Sequence, residues 1–210
     1  MKVRDDPRFH RYGVNVMVSQ PEGSTQGAPV VVETLPTLAN LTGRIDYMPT
    51  QGALVTDLML IKPGALHRAN GGFLVLDARR VLTEPFAWDA LKRCLETSAV
   101  HIITAADRIG LISTTTLEPE PIPLDVRVVL VGDRMLHGLL SEIDPDFDQF
   151  FHVAAEFGDD TDRSPEALTL LARLVATICS REGLRPVSRD GVAALIDAAT
   201  RAAEDQEKLS

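Results

Sequence analysis

The chain holds 210 residues, 45% hydrophobic and 24% charged, ordinary values for a globular protein with a packed core. Its formal net charge of −9 sets it against phosphate backbones, and the short basic runs Arg79-Arg80 and Lys92-Arg93 have acids close by, so nucleic acid is not an expected partner. No apolar run reaches the ~18–20 residues of a bilayer span, the start "MKVRDDPRFH" lacks a secretory apolar segment, and Cys94 and Cys179 stand far apart in apolar surroundings. A cytoplasmic protein with free thiols and no membrane contact is the expectation.

In chain order, Tyr12–Gln20 ("YGVNVMVSQ") alternates and is rich in valine, which predicts a strand closed by the turn residues "PEGSTQG". Ala28–Leu35 ("APVVVETL") predicts a second strand, apolar on both sides as in a buried parallel sheet. From Pro36 to Gly64 the chain mixes Pro, Gly, Asn and Thr with isolated apolar residues, as an elaborated loop or hairpin does. "GALHRANGG" predicts a short helix stopped by glycine, "FLVLD" a core strand, and "PFAWDALKRCLETS" an amphipathic helix carrying Phe86, Leu91 and Leu95 on one side. "AVHIIT" predicts a strand and "TTTLEPEPIPLD" a proline-stiffened connection. Val126–Asp133 ("VRVVLVGD") predicts a second core strand, "MLHGLLSEI" a short helix, and Phe151–Phe157 ("FHVAAEF") a last strand.

After "GDDTDR" the pattern becomes helical. Ser164-Pro165-Glu166 supplies a cap, a first-turn proline and an acid at the positive end of the dipole. A helix running to Gly183 and a second over "SRDGVAALIDAATRAAEDQEK" follow. The expected organisation is an α/β domain over residues 1–160, with a mostly parallel sheet flanked by helices, and a small helical domain over residues 161–210.

Chemistry in such sheets gathers at the carboxyl ends of the strands, which singles out Asp77 and the run Gly132-Asp133-Arg134. An aspartate ending a buried strand either holds Mg²⁺ near nucleotide phosphates or caps the next helix, and the pattern alone does not choose. Ala78 follows Asp77 and cannot activate water. A phosphate cradle needs glycines followed by Lys-Ser/Thr, yet none of Lys2, Lys62, Lys92 and Lys208 follows a glycine or precedes Ser or Thr. His10, His67, His101, His137 and His152 lack metal-ligand spacing, and no serine-nucleophile motif occurs. The 210 residues alone are expected to bind ATP poorly or not at all. Tyr47, Met48, Leu54, Leu58 and Met59 sit in the Gly- and Pro-punctuated region, either as functional contacts or folded onto the body.

The segments "VVVETLPTLANLTGRIDY", "KPGALHRANGGFLVLDARRVL", "PLDVRVVLVGD", "DPDFDQFFHVAAEF" and "RAAEDQEKLS" occur in one order that resembles the AAA+ portion of Lon-like proteases, peptidase family S16, in the bacterial group with a divergent ATPase module. The resemblance implies an AAA+-like α/β domain followed by a helical lid. It places Asp77 at the Walker B aspartate and Ala78 at the catalytic glutamate. It places Asp133 and Arg134 at sensor 1, Arg201 at sensor 2, and Tyr47 and Met48 in a pore loop that grips unfolded substrate. It also implies ATP and Mg²⁺ in a full-length protein, with Asp77 as the metal residue, a homo-hexamer, and unfolded proteins as substrates.

The expected departures from the family pattern are a P-loop that would lie upstream, no arginine in "DFDQFF", and a Ser-Lys proteolytic domain that would follow the lid. Three readings follow: a substrate-engaging module that is itself non-catalytic, a competent ATPase half-site completed by upstream sequence, or a stand-alone interaction module. Loss of the central P-loop strand predicts that "YGVNVMV" or another chain covers the exposed sheet edge.

Overall fold

The computed structural model describes residues 13–19, 27–50, 53–102, 117 and 119–210. Two compact units make up the chain, Met1–His152 and Val153–Ser210.

The first unit is built on three parallel strands, β1 (Val30–Glu33), β6 (Gly72–Asp77) and β9 (Val126–Val131), in the order β1-β6-β9. β6 alternates strictly: Gly72, Leu74 and Leu76 are buried while Phe73 and Asp77 are exposed. The close start of β1 against β6 depends on Gly72, where a Cβ would collide with the Pro29 carbonyl oxygen. Between the strands run α1 (Leu38–Thr42), β2 (Arg44–Ile45), β3 (Met48–Thr50), β4 (Ala53–Val55), a 3₁₀ turn (Leu58–Leu60), β5 (Ile61–Lys62) and α2 (Ala65–Arg68). After β6 come α3 (Ala78–Thr83), α4 (Ala87–Thr97), β7 (Ala99–Val100) and β8 (Ile122–Pro123). After β9 come α5 (Arg134–Ile143) and α6 (Phe147–Phe150). Leu41 of α1, Leu66 of α2, Leu74 and Leu76 of β6, Val81 of α3 and Leu91 of α4 form one core with Cys94 and Val100. An aromatic group of Trp88, Phe147 and Phe151 adjoins α4, with Trp88 and Phe151 stacked 5.9 Å apart.

Several expectations are corrected here. The region from Pro36 to Gly64 contains a helix, α1, because the Thr37 side chain accepts the Asn40 N–H and starts a turn that buries Leu38 and Leu41. Strand character in Tyr12–Gln20 is not found in its described part, Gly13–Ser19, which joins no sheet. Asn15 instead donates to the Leu58 and Ile61 carbonyls, at 2.8 and 2.9 Å. Among the described residues β9 therefore keeps an unpaired outer edge. Phe151–Phe157 is irregular and forms no strand. Of "AVHIIT" only Ala99–Val100 is strand, and its last two residues lie outside the described ones.

Among the described residues one face of the sheet is left open. Registers place Val30, Val32, Phe73, Val75, Val129 and Val131 on a shared face, where five of the six are 42–66% exposed.

The second unit holds α7 (Pro165–Arg181) and α8 (Arg189–Ala202), capped by Ser164 and Ser188. A two-residue antiparallel pair, β10 (Thr161–Asp162) with β11 (Lys208–Leu209), adds to the helical pattern read from the sequence.

Candidate functional site

The parallel register sets Asp77, at the end of β6, opposite Val131, the last residue of β9. β6 runs straight into a helix and β9 reaches one after Gly132-Asp133, and the acid at each junction is the helix cap. Asp77 Oδ1 accepts the Arg80 N–H at 2.9 Å and starts α3. Asp133 Oδ1 accepts the Leu136 N–H at 2.7 Å and starts α5. Arg79 donates to Asp133 Oδ2 at 2.8 Å and ties the two strand ends together. The Leu136 N–H first, and Arg79 second, hold the Asp133 carboxyl below the usual carboxylate range.

Asp77 thus realises the capping reading through Oδ1. Its other oxygen, Oδ2, has no hydrogen bond among the described residues, and the residue is exposed. Capping and a metal role are compatible on this geometry. Ala78 beside it is only 4% exposed, and a Cβ built on Gly132 would stand 3.1 Å from the Ala78 Cβ. The slot between the two strand ends is filled by small groups.

Asp77, Arg79 and Asp133 are brought together at the carboxyl end of the sheet. Arg134 opens α5 next to Asp133. Arg201 stands on α8 of the second unit, where its Nε donates to the Asp197 carbonyl at 3.2 Å. Arg79 is the residue that sequence reasoning missed, since Arg79-Arg80 reads as surface charge. Its signal is the spacing, because the second residue of a helix begun by one strand's acid can reach the acid of the next strand.

Tyr47 and Met48 lie where β2 leads into the β3–β4 hairpin, in which Met48 pairs with Val55 and Pro49 with Leu54. Among the described residues Tyr47 is 39% and Met48 53% exposed, and Val55, Leu58 and Met59 are similarly open, while the Leu54 side chain lies outside the described ones. The hairpin tip, residues 51–52, lies outside the described residues.

The donor set fits a magnesium ion in part. Asp77 Oδ2 offers one carboxylate oxygen, enough where waters and phosphates supply the rest of an octahedron. Among the described residues no three His, Cys, Asp or Glu side chains cluster to hold a metal unaided. None of the four lysines follows a glycine or precedes Ser or Thr. Among the described residues no helix is long and apolar enough to cross a membrane, and Cys94 and Cys179 are buried free thiols.

Residues 26–158 match the family described as LonB-like, AAA domain, and residues 186–210 match the archaeal LonB AAA+ ATPase LID domain. A Lon protease homolog of Escherichia coli (strain K12) is 28% identical over 155 residues, covering 71% of this chain and 25% of that protein. A Lon protease homolog of Haemophilus influenzae is 31% identical over 101 residues, 47% of this chain and 16% of the relative. The chain therefore spans a quarter or less of the length of these relatives. The crystal structure of NtrX from Brucella abortus shares the fold at a TM-score of 0.50 and 19% identity, over 80% of this chain and 36% of that one. With the family match running over more than half of its length, from before β1 to beyond α6, the chain belongs to the LonB-like AAA domain family.

Proposed function

We propose that this chain is the substrate-engaging AAA+-like module of a Lon-like ATP-dependent protease. It would grip unfolded polypeptide and present it to a proteolytic domain outside these 210 residues. The observation that carries the reading is the open apolar surface of the β3–β4 hairpin and its flanks, Tyr47, Met48, Val55, Leu58 and Met59, on a segment rooted in the core by β2 and β5. A half-exposed aromatic next to a flexible thioether contacts many apolar side chains without selecting one, as a processive grip requires. The proteolytic domain, the P-loop region and further copies of the chain in a hexameric ring are the partners of this reading. Residues 1–160 would form the AAA+-like domain and 161–210 part of the lid, working in the cytoplasm. In the full-length protein Tyr47→Ala is expected to slow degradation of an unfolded substrate by about tenfold or more, and an unchanged rate would overturn the pore-hairpin role.

A second reading is favoured by Asp77 Oδ2, which has no hydrogen bond among the described residues, at the strand end opposite Val131. Here the chain supplies half of a working ATP site. Asp77 would hold Mg²⁺, Asp133 and Arg134 would act as sensor 1, Arg201 as sensor 2, and an upstream P-loop would supply the phosphate cradle. Bound Mg²⁺ would supply charge neutralisation at the phosphates. Calorimetry separates the two. The first reading expects no Mg-ATP binding by the 210-residue chain, and micromolar binding lost in Asp77→Ala would overturn it.

A further inference from the structure

The chain leaves the body at Gly43 and returns at Gly64, with β2, the β3–β4 hairpin, the 3₁₀ turn and β5 between them. The two backbones cross closely at these glycines. A Cβ on Gly43 would stand 2.6 Å from the Lys62 carbonyl oxygen, and one on Gly64 would strike the Leu41 carbonyl. Beyond the crossing few bonds close the excursion. They include the two-residue pairing of β2 with β5 and the Asp46 N–H on the Leu60 carbonyl at 3.0 Å. Asn15 adds its side-chain N–H groups, donated to the Leu58 and Ile61 carbonyls.

His67, on α2 and 5% exposed, reaches the crossing from the body. Its Nδ1 accepts the Gly64 N–H at 3.2 Å, and its Cε1 lies 3.5 Å from where a Gly43 Cβ would stand. Nδ1 accepts only in the neutral ring that carries its proton on Nε2. Burial pushes the His67 pKa below its ordinary 6.5, so the ring is neutral at pH 7. A proton added to Nδ1 would set two donors face to face, and one side must move. Ala65, Leu66 and Ala69 around the ring on α2 are fully buried in the core. The excursion, held by a two-residue ladder, is the weaker side and yields first.

We infer that His67 is a positioning residue: its neutral imidazole holds the root of the hairpin excursion closed, and its protonation releases that root while the core stays folded. The consequence for function rests on the substrate-engaging reading, because the closed root presents Tyr47 and Met48 in one orientation. Few charged groups surround the ring. Helix α1, packed on α2, carries none, and β7 carries none. Arg68, next on α2, pairs with Glu33 of β1 at 2.8 Å, Arg44 pairs with Asp46 at 2.9 Å, and Lys62 is exposed. Glu120 lines the same cleft as the ring, so it is the carboxylate that a control must remove.

The test is amide exchange of the chain followed by NMR, each rate divided by the intrinsic rate at the same pH. Opening takes up one proton between the folded pKa and 6.5. The Asp46 amide should therefore lose protection several-fold, and at most about tenfold, from about pH 7.5 to 5.5, while the amides of β6 keep theirs. His67→Asn keeps an acceptor that does not titrate and should make Asp46 protection flat over this range. His67→Leu offers no acceptor and should leave Asp46 poorly protected at both ends. Trp88 fluorescence in urea checks that both variants are folded. If either unfolds, the parent profile against β6 and the Glu120→Gln control still decide. Glu120→Gln should leave the response in place. Asp46 protection that follows β6 at every pH would overturn the inference, as would a response that survives His67→Asn or vanishes in Glu120→Gln. In that case the hairpin reading still stands on Tyr47→Ala in the full-length protein. If the Asp46 amide responds as expected and Tyr47→Ala leaves degradation unchanged, the hairpin role fails and the positioning by His67 stands.

Discussion

Asp77 joins two roles in one carboxylate, and substitution can separate them. Oδ1 accepts the Arg80 N–H at 2.9 Å and starts α3, whereas Oδ2 has no hydrogen bond among the described residues. Asp77→Ala removes the cap, which costs about 1 kcal/mol and should lower Tm by about 2–4 °C for a unit of this size. Asp77→Asn keeps an oxygen at the Oδ1 position and loses only the charge at the helix start, a few tenths of a kcal/mol at an exposed site. Trp88 is the only tryptophan of the chain and lies in the first unit, so its fluorescence in urea follows that unit alone. An Asp77→Ala chain as stable as the parent would refute the capping argument, as would an Asp77→Asn chain that falls equally far. In the full-length protein, the ATPase reading expects Asp77→Asn to abolish Mg²⁺-dependent hydrolysis while leaving the Trp88 transition nearly in place.

Other consequences are checked by the same fluorescence. Leu74 is fully buried at the centre of β6, so Leu74→Ala should cost about 2–5 kcal/mol, while Met135→Ala at 81% exposure stays within about 0.5 kcal/mol of the parent. Asp144 accepts from Trp88 Nε1 at 2.7 Å and Lys92 Nζ at 2.9 Å. Burial raises its pKa, but the bonds from Trp88, Lys92 and the Asp146 N–H outweigh it and hold the group below its ordinary 3.8. A depressed carboxyl stabilises the fold above the unfolded pKa and loses that contribution as pH falls through the folded one. The unfolding midpoint should therefore drop from about pH 4 downward, and Asp144→Asn should flatten this acid limb. The open sheet face should bind an apolar dye, and Val32→Thr with Val131→Thr should reduce that binding with little loss of stability.

The sequence made the core strands legible because their signals are local: an unbroken apolar run, then an acid. The lid helices were legible through Ser164 and Pro165, whose chemistry starts a helix wherever it is placed. What stayed hidden depends on partners distant in sequence. Gly13–Ser19 alternates like a strand yet is anchored by the side chain of Asn15 instead of a ladder. Phe151–Phe157 has strand composition but forms no strand, because composition alone does not decide whether a segment joins a ladder. Helix α1 was masked by Pro36 and Gly43, which read as loop signals but here bracket a single capped turn. At the candidate site, both strand-end acids could be read in advance, whereas the Arg79–Asp133 link, which joins residues 54 apart, shows in the sequence only through Arg79's place two residues after the first acid.

Ala78 offers the sharpest test of whether this site has room for the glutamate that the ATPase reading lacks. The family resemblance puts a water-activating glutamate there, and the obvious repair is Ala78→Glu. Ala78 is the first residue of α3, is 4% exposed, and faces the space that Gly132 leaves empty. A glutamate in that slot would be overpacked, at about 1–3 kcal/mol, and its carboxylate would be buried with no described donor to receive it. The expected result is a lower Trp88 unfolding midpoint and a glutamate pKa pushed upward, seen as a stability loss that eases as pH falls. An Ala78→Glu chain as stable as the parent, with an ordinary carboxyl titration, would show that the side chain reaches solvent and that the slot is open to repair. On the packing described, small residues at 78 and 132 are a matched pair, so placing a glutamate at 78 requires changing what lies opposite it as well.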